Sequence, residues 1–153
     1  MLGPTGPYKY WRWKTLKDGT KSHICIDRFR LIQEDGKYGV PIKVTYPQGK
    51  NPYSTNGHTF NIDGWGSSTS DTESHWCSWN LAIIVMEFSK PIEFTAYKFE
   101  THSNPCTNDP QEWSIEVSTD GIKWSMVDHQ VRDCKSNPIA REGYNEFSFK
   151  QGK

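Results

Sequence analysis

Leucine is nearly missing from this chain: it stands only at Leu2, Leu16, Leu31 and Leu81 of 153 residues. No window of helical length keeps a 3.6-residue apolar period either, which excludes a helix bundle. An excess of charge is missing too. Lys and Arg together equal Asp and Glu at 18 each, so no global field draws the chain to nucleic acid, an anionic membrane or an acidic substrate. The first residues have neither the basic start nor the apolar run of a secretory signal, and no later segment has the length and apolarity to cross a bilayer, so the expectation is a chain without a transmembrane segment. Asn-x-Ser/Thr sequons are absent, which argues mildly against passage through a glycosylating pathway.

Catalytic and metal motifs are equally scarce. The four cysteines, Cys25, Cys77, Cys106 and Cys134, form no Cys-x-x-Cys pair, so a zinc ribbon or a thioredoxin-like site has no support. They allow three disulfide pairings; an even count fits an extracellular or surface-exposed protein, and four free thiols fit a cytoplasmic assembly equally. The five histidines, His23, His58, His75, His102 and His129, lie in no His-Glu-x-x-His setting. No Gly-x-Ser-x-Gly elbow, phosphate-cradling glycine loop or paired carboxylates of a glycoside hydrolase stand out, and the expectation is a protein that is not an enzyme.

What the chain does have is aromatic residues, 14% of the total, and large rings must then supply the core volume. Residues 113–124 carry the clearest pattern. Trp113, Ile115 and Val117 point one way and Ser114, Glu116 and Ser118 the other, the period-two signature of a strand with one dry face. Asp120-Gly121 supplies a turn, and a second strand opens on Trp124. Both tryptophans are expected to fill the core.

Candidate strands recur between Gly, Pro, Asn, Asp and Ser clusters: Tyr8 to Leu16, His23 to Gln33, Val40 to Tyr46, Leu81 to Phe88, Phe94 to His102, Trp113 to Ser118, Lys123 to Val127 and Asn145 to Lys150. Leu81-Ala82-Ile83-Ile84-Val85-Met86 is apolar on both faces and reads as a central strand. Lys17-Asp18-Gly19-Thr20 and Glu34-Asp35-Gly36-Lys37 read as turns. Residues 1–7 read as a linker or stalk remnant and 8–153 as a single all-β domain, an antiparallel β-sandwich. The stretch from Pro47 to Ser78 reads as a long polar loop holding His58, Trp65, His75 and Trp76.

If successive strands alternate in direction, the loops before Leu81, from Ser103 to Glu112 and from Asp128 to Tyr144 gather at one end. A sugar site needs an aromatic plate for the apolar ring face and a few polar groups for the hydroxyls. Trp65 and Trp76 are the candidate plates, each set among polar residues; His58, His75, His102, Asn104, Asp109 and Arg132 are the candidate hydroxyl partners.

With the hairpin placed, the wider pattern resembles the discoidin-like, coagulation-factor C-type domain, a galactose-binding-like jelly roll. Ile62-Asp63-Gly64 followed by Thr69 looks like that family's Asp-Gly loop, and Phe88-Ser89-Lys90-Pro91-Ile92 looks like its strand and lysine-proline turn. Tyr97-Lys98-Phe99-Glu100-Thr101 with Asn104, then Asp109-Pro110-Gln111-Glu112-Trp113 leading into Ser118-Thr119-Asp120-Gly121-Ile122-Lys123-Trp124, extend the likeness over most of the chain. Tyr8-Lys9-Tyr10-Trp11-Arg12-Trp13 and Phe29-Arg30-Leu31 resemble strands that close the family's domain, yet they open this one, so the strand order looks permuted.

The resemblance implies a non-catalytic binding or adhesion module whose ligand is a glycan or glycoconjugate, a lipid head group or a protein. It also implies a calcium ion held near the Asp-Gly loop, for which Asp63 and Thr69 carry over. The strand position expected to hold an acidic ligand is Arg28, with Asp27 beside it, and an inward arginine would repel the ion. The other reading has Asp63 capping a turn and bonding Arg28 directly. For the whole chain, the alternative to glycan recognition is a structural interaction domain docking a protein partner in a fibre, capsid or cytoskeletal assembly.

Overall fold

The computed structural model describes residues 6–17, 24–45, 75–78, 83–101, 110–133 and 145–149, with only the backbone described at 24–28, 75–78 and 101. Among the described residues there is no helix, and the strands are β1 (Tyr8–Lys17), β2 (Ile24–Ile32), β3 (Lys43–Thr45), β4 (His75–Ser78), β5 (Ile83–Ile92), β6 (Ala96–Thr101), β7 (Glu112–Ser118), β8 (Ser125–Val131) and β9 (Asn145–Ser148). They pair antiparallel in a five-stranded sheet, order β3-β5-β1-β7-β8, and a four-stranded sheet, order β4-β2-β6-β9. The all-β reading holds, and the two sheets form a β-sandwich.

Alternation along β1 shows how the sequence builds it. Trp11 and Trp13 are fully buried and Thr15 nearly so, whereas Tyr10, Arg12 and Lys14 between them are only half-buried. The register extends this alternation across the sheet: Val44, Met86, Trp11 and Val117 form one inward row, and Ile84, Trp13, Ile115 and Asp128 the next. The facing sheet adds Phe29, Leu31, Tyr97 and Phe99, all fully buried. Trp13 and Trp113 stack at 5.1 Å between centroids, and Phe99 meets both edge-on at 5.4 and 5.5 Å. Each buried ring contributes about 4–6 kcal/mol of transfer free energy as an upper bound.

A buried indole also needs a partner for its N–H. Trp13 Nε1 donates to Thr15 Oγ1 at 2.7 Å, Trp11 Nε1 to the Tyr8 carbonyl at 3.1 Å, and Trp113 Nε1 to the Tyr97 hydroxyl at 2.9 Å. The Tyr97 hydroxyl in turn donates to Asp128 Oδ2 at 2.6 Å, linking β6 of one sheet to β7 and β8 of the other. Burial and the Asp128 carboxylate push the Tyr97 phenol well above its ordinary pKa.

Several expectations are corrected. Residues 75–78, read as the end of a loop, form β4. Both faces of β7 are buried: Ser114, Glu116 and Ser118 are 0%, 8% and 2% exposed, so the strand has no open side. The central strand β5 is only partly covered on its second face, where Ile83 is buried and Val85 and Glu87 are half-buried. It also runs on through Lys90-Pro91, so the chain turns at 93–95 instead. Trp113 fills the core, but Trp124 precedes β8 and lies on the outer face under Arg12. The turn at Glu34 to Lys37 forms as expected, with Gly36 at φ 87° and its N–H donating to the Gln33 carbonyl at 2.8 Å.

Candidate functional site

The outer face of the five-stranded sheet carries two polar rows fixed by the register. Lys43, Glu87, Tyr10 and Ser118 make one; Thr45, Val85, Arg12 and Glu116 make the next. Directly opposed residues of antiparallel strands share a face. Between β3 and the connection from β7 to β8, these rows floor a cleft of about 320 Å³ lined by Tyr10, Arg12, Lys43, Thr45, Val85, Glu87, Gly121 and Trp124. That volume lies at the low end of small-molecule clefts.

Two of its charged groups, Arg12 and Glu87, are paired with neighbouring side chains. Arg12 Nε donates to Glu116 Oε1 at 2.5 Å, with both side chains largely buried, and the guanidinium lies 4.3 Å from the Trp124 ring centroid. Glu116 Oε2 accepts a further bond from Ser114 Oγ at 3.3 Å. Lys9 Nζ stands 3.8 Å from Glu87 Oε2 and 5.7 Å from the Tyr10 ring centroid. The lining thus holds two cations, Arg12 and Lys43, and one carboxylate, Glu87, with Glu116 and Lys9 paired to its members from outside it.

The wall formed by residues 119–124 is a wired turn. Ser118 Oγ accepts from the Gly121 N–H at 2.8 Å and donates to Asp120 Oδ1 at 2.9 Å; the same Asp120 oxygen accepts from the N–H groups of Ile122 and Lys123 at 2.8 and 3.0 Å. These bonds, Lys123 first, then Ile122 and the Ser118 hydroxyl, lower the Asp120 pKa from 3.8 to about 2. Gly121 has φ 76°, and a β-carbon there would sit 3.4 Å from the Tyr10 ring. That distance is ordinary contact, and it is the positive φ, which glycine adopts without steric cost, that closes the turn beside Tyr10, with Trp124 lining the cleft.

The sequence-predicted residues fare differently. His58, Trp65, His102, Asn104 and Asp109, together with the calcium candidates Asp63 and Thr69, lie outside the described residues. His75 and Trp76 fall on β4, where only the backbone is described, opposite Asp27 and Ile26 of β2. Arg132 follows β8; its Nη2 donates to Gln130 Oε1 at 3.0 Å and its guanidinium lies 5.3 Å from the Phe147 ring centroid. It is not among the residues lining the cleft. Strand directions put the end of β6, the start of β7, the end of β8 and the start of β5 at one end of the sandwich, as the alternation argument expects.

Sequence reasoning missed Tyr10, Arg12, Lys43, Thr45, Glu87 and the outward role of Trp124. The alternation Tyr10-Trp11-Arg12-Trp13-Lys14 held the signal, since an aromatic on the polar phase of a strand is exposed unless something covers it. Elsewhere on this face Glu112 Oε2 meets His129 Nε2 at 2.7 Å. Among the described residues no group of three or more His, Cys, Asp or Glu is gathered as a metal would require, and no helix is long and apolar enough to cross a membrane. Comparison with protein-family models, with curated proteins and with solved structures finds no match.

Proposed function

We propose that this chain is a non-catalytic carbohydrate-recognition module, a discoidin-like jelly roll with permuted strand order, whose outer-face cleft receives a neutral, hydroxyl-rich ligand. The observation that carries the reading is the meeting of Tyr10 and Trp124 with Arg12, Glu87 and Lys43 in one small cleft, where Arg12 is paired with Glu116 and Glu87 with Lys9. Rings offer apolar plates to the C–H face of a sugar, and fixed donors and acceptors of both signs suit hydroxyls. A polyanion would meet Glu87, and a polycation Lys43 and Arg12. Burying about 100 Å² against one ring contributes roughly 2.5 kcal/mol before ordering costs. Single-site affinity is then about millimolar to high micromolar, and firm attachment needs several copies.

A glycan array probed with the full chain tests this. Binding that is lost in Trp124→Ala and Tyr10→Ala, with the fold intact by circular dichroism, supports the cleft. Binding that survives both but is lost in Trp65→Ala or Trp76→Ala moves the site to the segment before β5. No binding to any glycan rejects the reading.

A second reading, docking of a protein partner, draws on Ile42 and Ile122, which are 51% and 79% exposed. Ile42 precedes Lys43 and Ile122 lies in the turn after Ser118, so the two bracket one polar row. A partner held there would be released by Ile42→Ser with Ile122→Ser, substitutions that leave a sugar site in place.

A further inference from the structure

Sequence spacing leaves the four cysteines with three equally permitted pairings, and the register of β2 against β4 separates them. Four consecutive residue pairs define that register: Ile24 opposite Ser78, Cys25 opposite Cys77, Ile26 opposite Trp76 and Asp27 opposite His75. Cys25 and Cys77 are therefore direct cross-strand partners. We propose that this juxtaposition makes Cys25 and Cys77 a covalent modification site, a cross-strand disulfide that fastens β4 to β2.

The backbone geometry admits the bond in either kind of antiparallel pair. Opposed α-carbons lie about 4.5 Å apart where the pair is not hydrogen-bonded and about 5.5 Å apart where it is. Disulfides span roughly 4.4–6.8 Å between α-carbons, so neither case requires the strands to move. Opposed residues also share a sheet face, whereas a slip of one residue would send the two to opposite faces.

The chemistry balances by exchange with a low-molecular-weight disulfide such as oxidised glutathione. One cysteine thiolate attacks a sulfur of the small disulfide and expels one thiol; the second cysteine attacks the mixed disulfide and expels the other. Two protein thiols are oxidised, one small disulfide is reduced, and two small thiols leave with the protons.

The bond matters because of what β4 adjoins. The strand is four residues long and pairs with β2. It follows directly on the polar stretch that carries His58, Trp65 and Asp63, and it holds His75 and Trp76 itself. A covalent tie at Cys77 closes a loop of about fifty residues and fixes where that stretch rejoins the sheet, with a stabilisation that grows with loop length. This inference stands apart from the sugar reading, since it concerns the other sheet.

Peptide mapping of the full chain decides it. The protein is equilibrated with oxidised glutathione, alkylated under denaturing conditions without reduction, digested and weighed. The expected result is a linked pair of peptides containing Cys25 and Cys77; alkylation of both, or a link from either to Cys106 or Cys134, overturns the proposal. As a second measurement, Cys77→Ser should melt on the order of 10 °C below the oxidised wild type and coincide with it once both are reduced. Equal melting of the two under oxidising conditions contradicts the proposal, and if Cys77→Ser does not fold, the map of the wild type decides alone.

Discussion

Replacing Tyr97 by Phe removes one oxygen from the middle of the sandwich and should cost about 2–4 kcal/mol. The hydroxyl serves two partners, donating to Asp128 Oδ2 at 2.6 Å and accepting from Trp113 Nε1 at 2.9 Å. Trp113 is fully buried, so its N–H would be left without this acceptor, at a cost of about 1–3 kcal/mol. Asp128, 7% exposed, would lose a charge-assisted bond worth about 1.5–3 kcal/mol. Two weaker bonds from Gln130 Nε2, at 3.3 and 3.4 Å, would soften that loss, and the apolar ring stays in place, which keeps the net below the sum. Urea unfolding followed by tryptophan fluorescence reads the change as a lower midpoint at unchanged slope. The wild type should also weaken in alkali: Tyr97 ionises less readily folded than unfolded, so its contribution is whole below about pH 10 and is lost as pH rises through its raised value. Tyr97→Phe should flatten that alkaline limb. A loss under about 0.5 kcal/mol with the limb unchanged would refute the inter-sheet bridge, because ordinary surface changes do as much.

The remaining predictions concern other parts of the fold. Gly39→Ala should cost about 1–3 kcal/mol in the same unfolding assay, since its β-carbon would overlap the Phe94 ring and crowd Phe88. Arg12→Ala should cost about 1–3 kcal/mol by leaving Glu116, 8% exposed, without its guanidinium, and Arg12→Gln with Glu116→Gln together should recover part of it. Asp120, held near pKa 2 by the turn's N–H groups, contributes stability that is whole above about pH 4 and is lost as pH falls through 2. Midpoints measured from pH 5 to 2 should fall less steeply in Asp120→Asn than in the wild type.

How far the sequence could be read depends on how regular each signal is. The alternation in Tyr8 to Leu16 and the turn at Asp35-Gly36 recur in the structure because period two and positive-φ glycine are local properties, whereas Trp113 to Ser118 forms its strand with both faces covered, which its own alternation could not show. β4 escaped because four residues among Ser, Thr and Glu carry too few alternations to separate strand from loop. Trp124 was misread because a tryptophan next to a turn can enter either face, and the outward one is decided by Arg12 from a strand more than a hundred residues earlier in the chain. The cleft itself joins β1, β3, β5 and the turn after β7, so only the register could assemble it. Spacing said nothing about Cys25 and Cys77 for the same reason.

The most direct test of the cleft as a sugar site is a titration of the isotopically labelled protein with the best array ligand, followed by backbone amide and indole NMR shifts. Shift changes confined to Tyr10, Arg12, Lys43, Glu87 and the Gly121 to Trp124 turn, saturating at high micromolar to millimolar ligand, are what the account predicts. Saturable changes that leave those residues still, and fall at Trp65, Trp76 or Arg132, would contradict it.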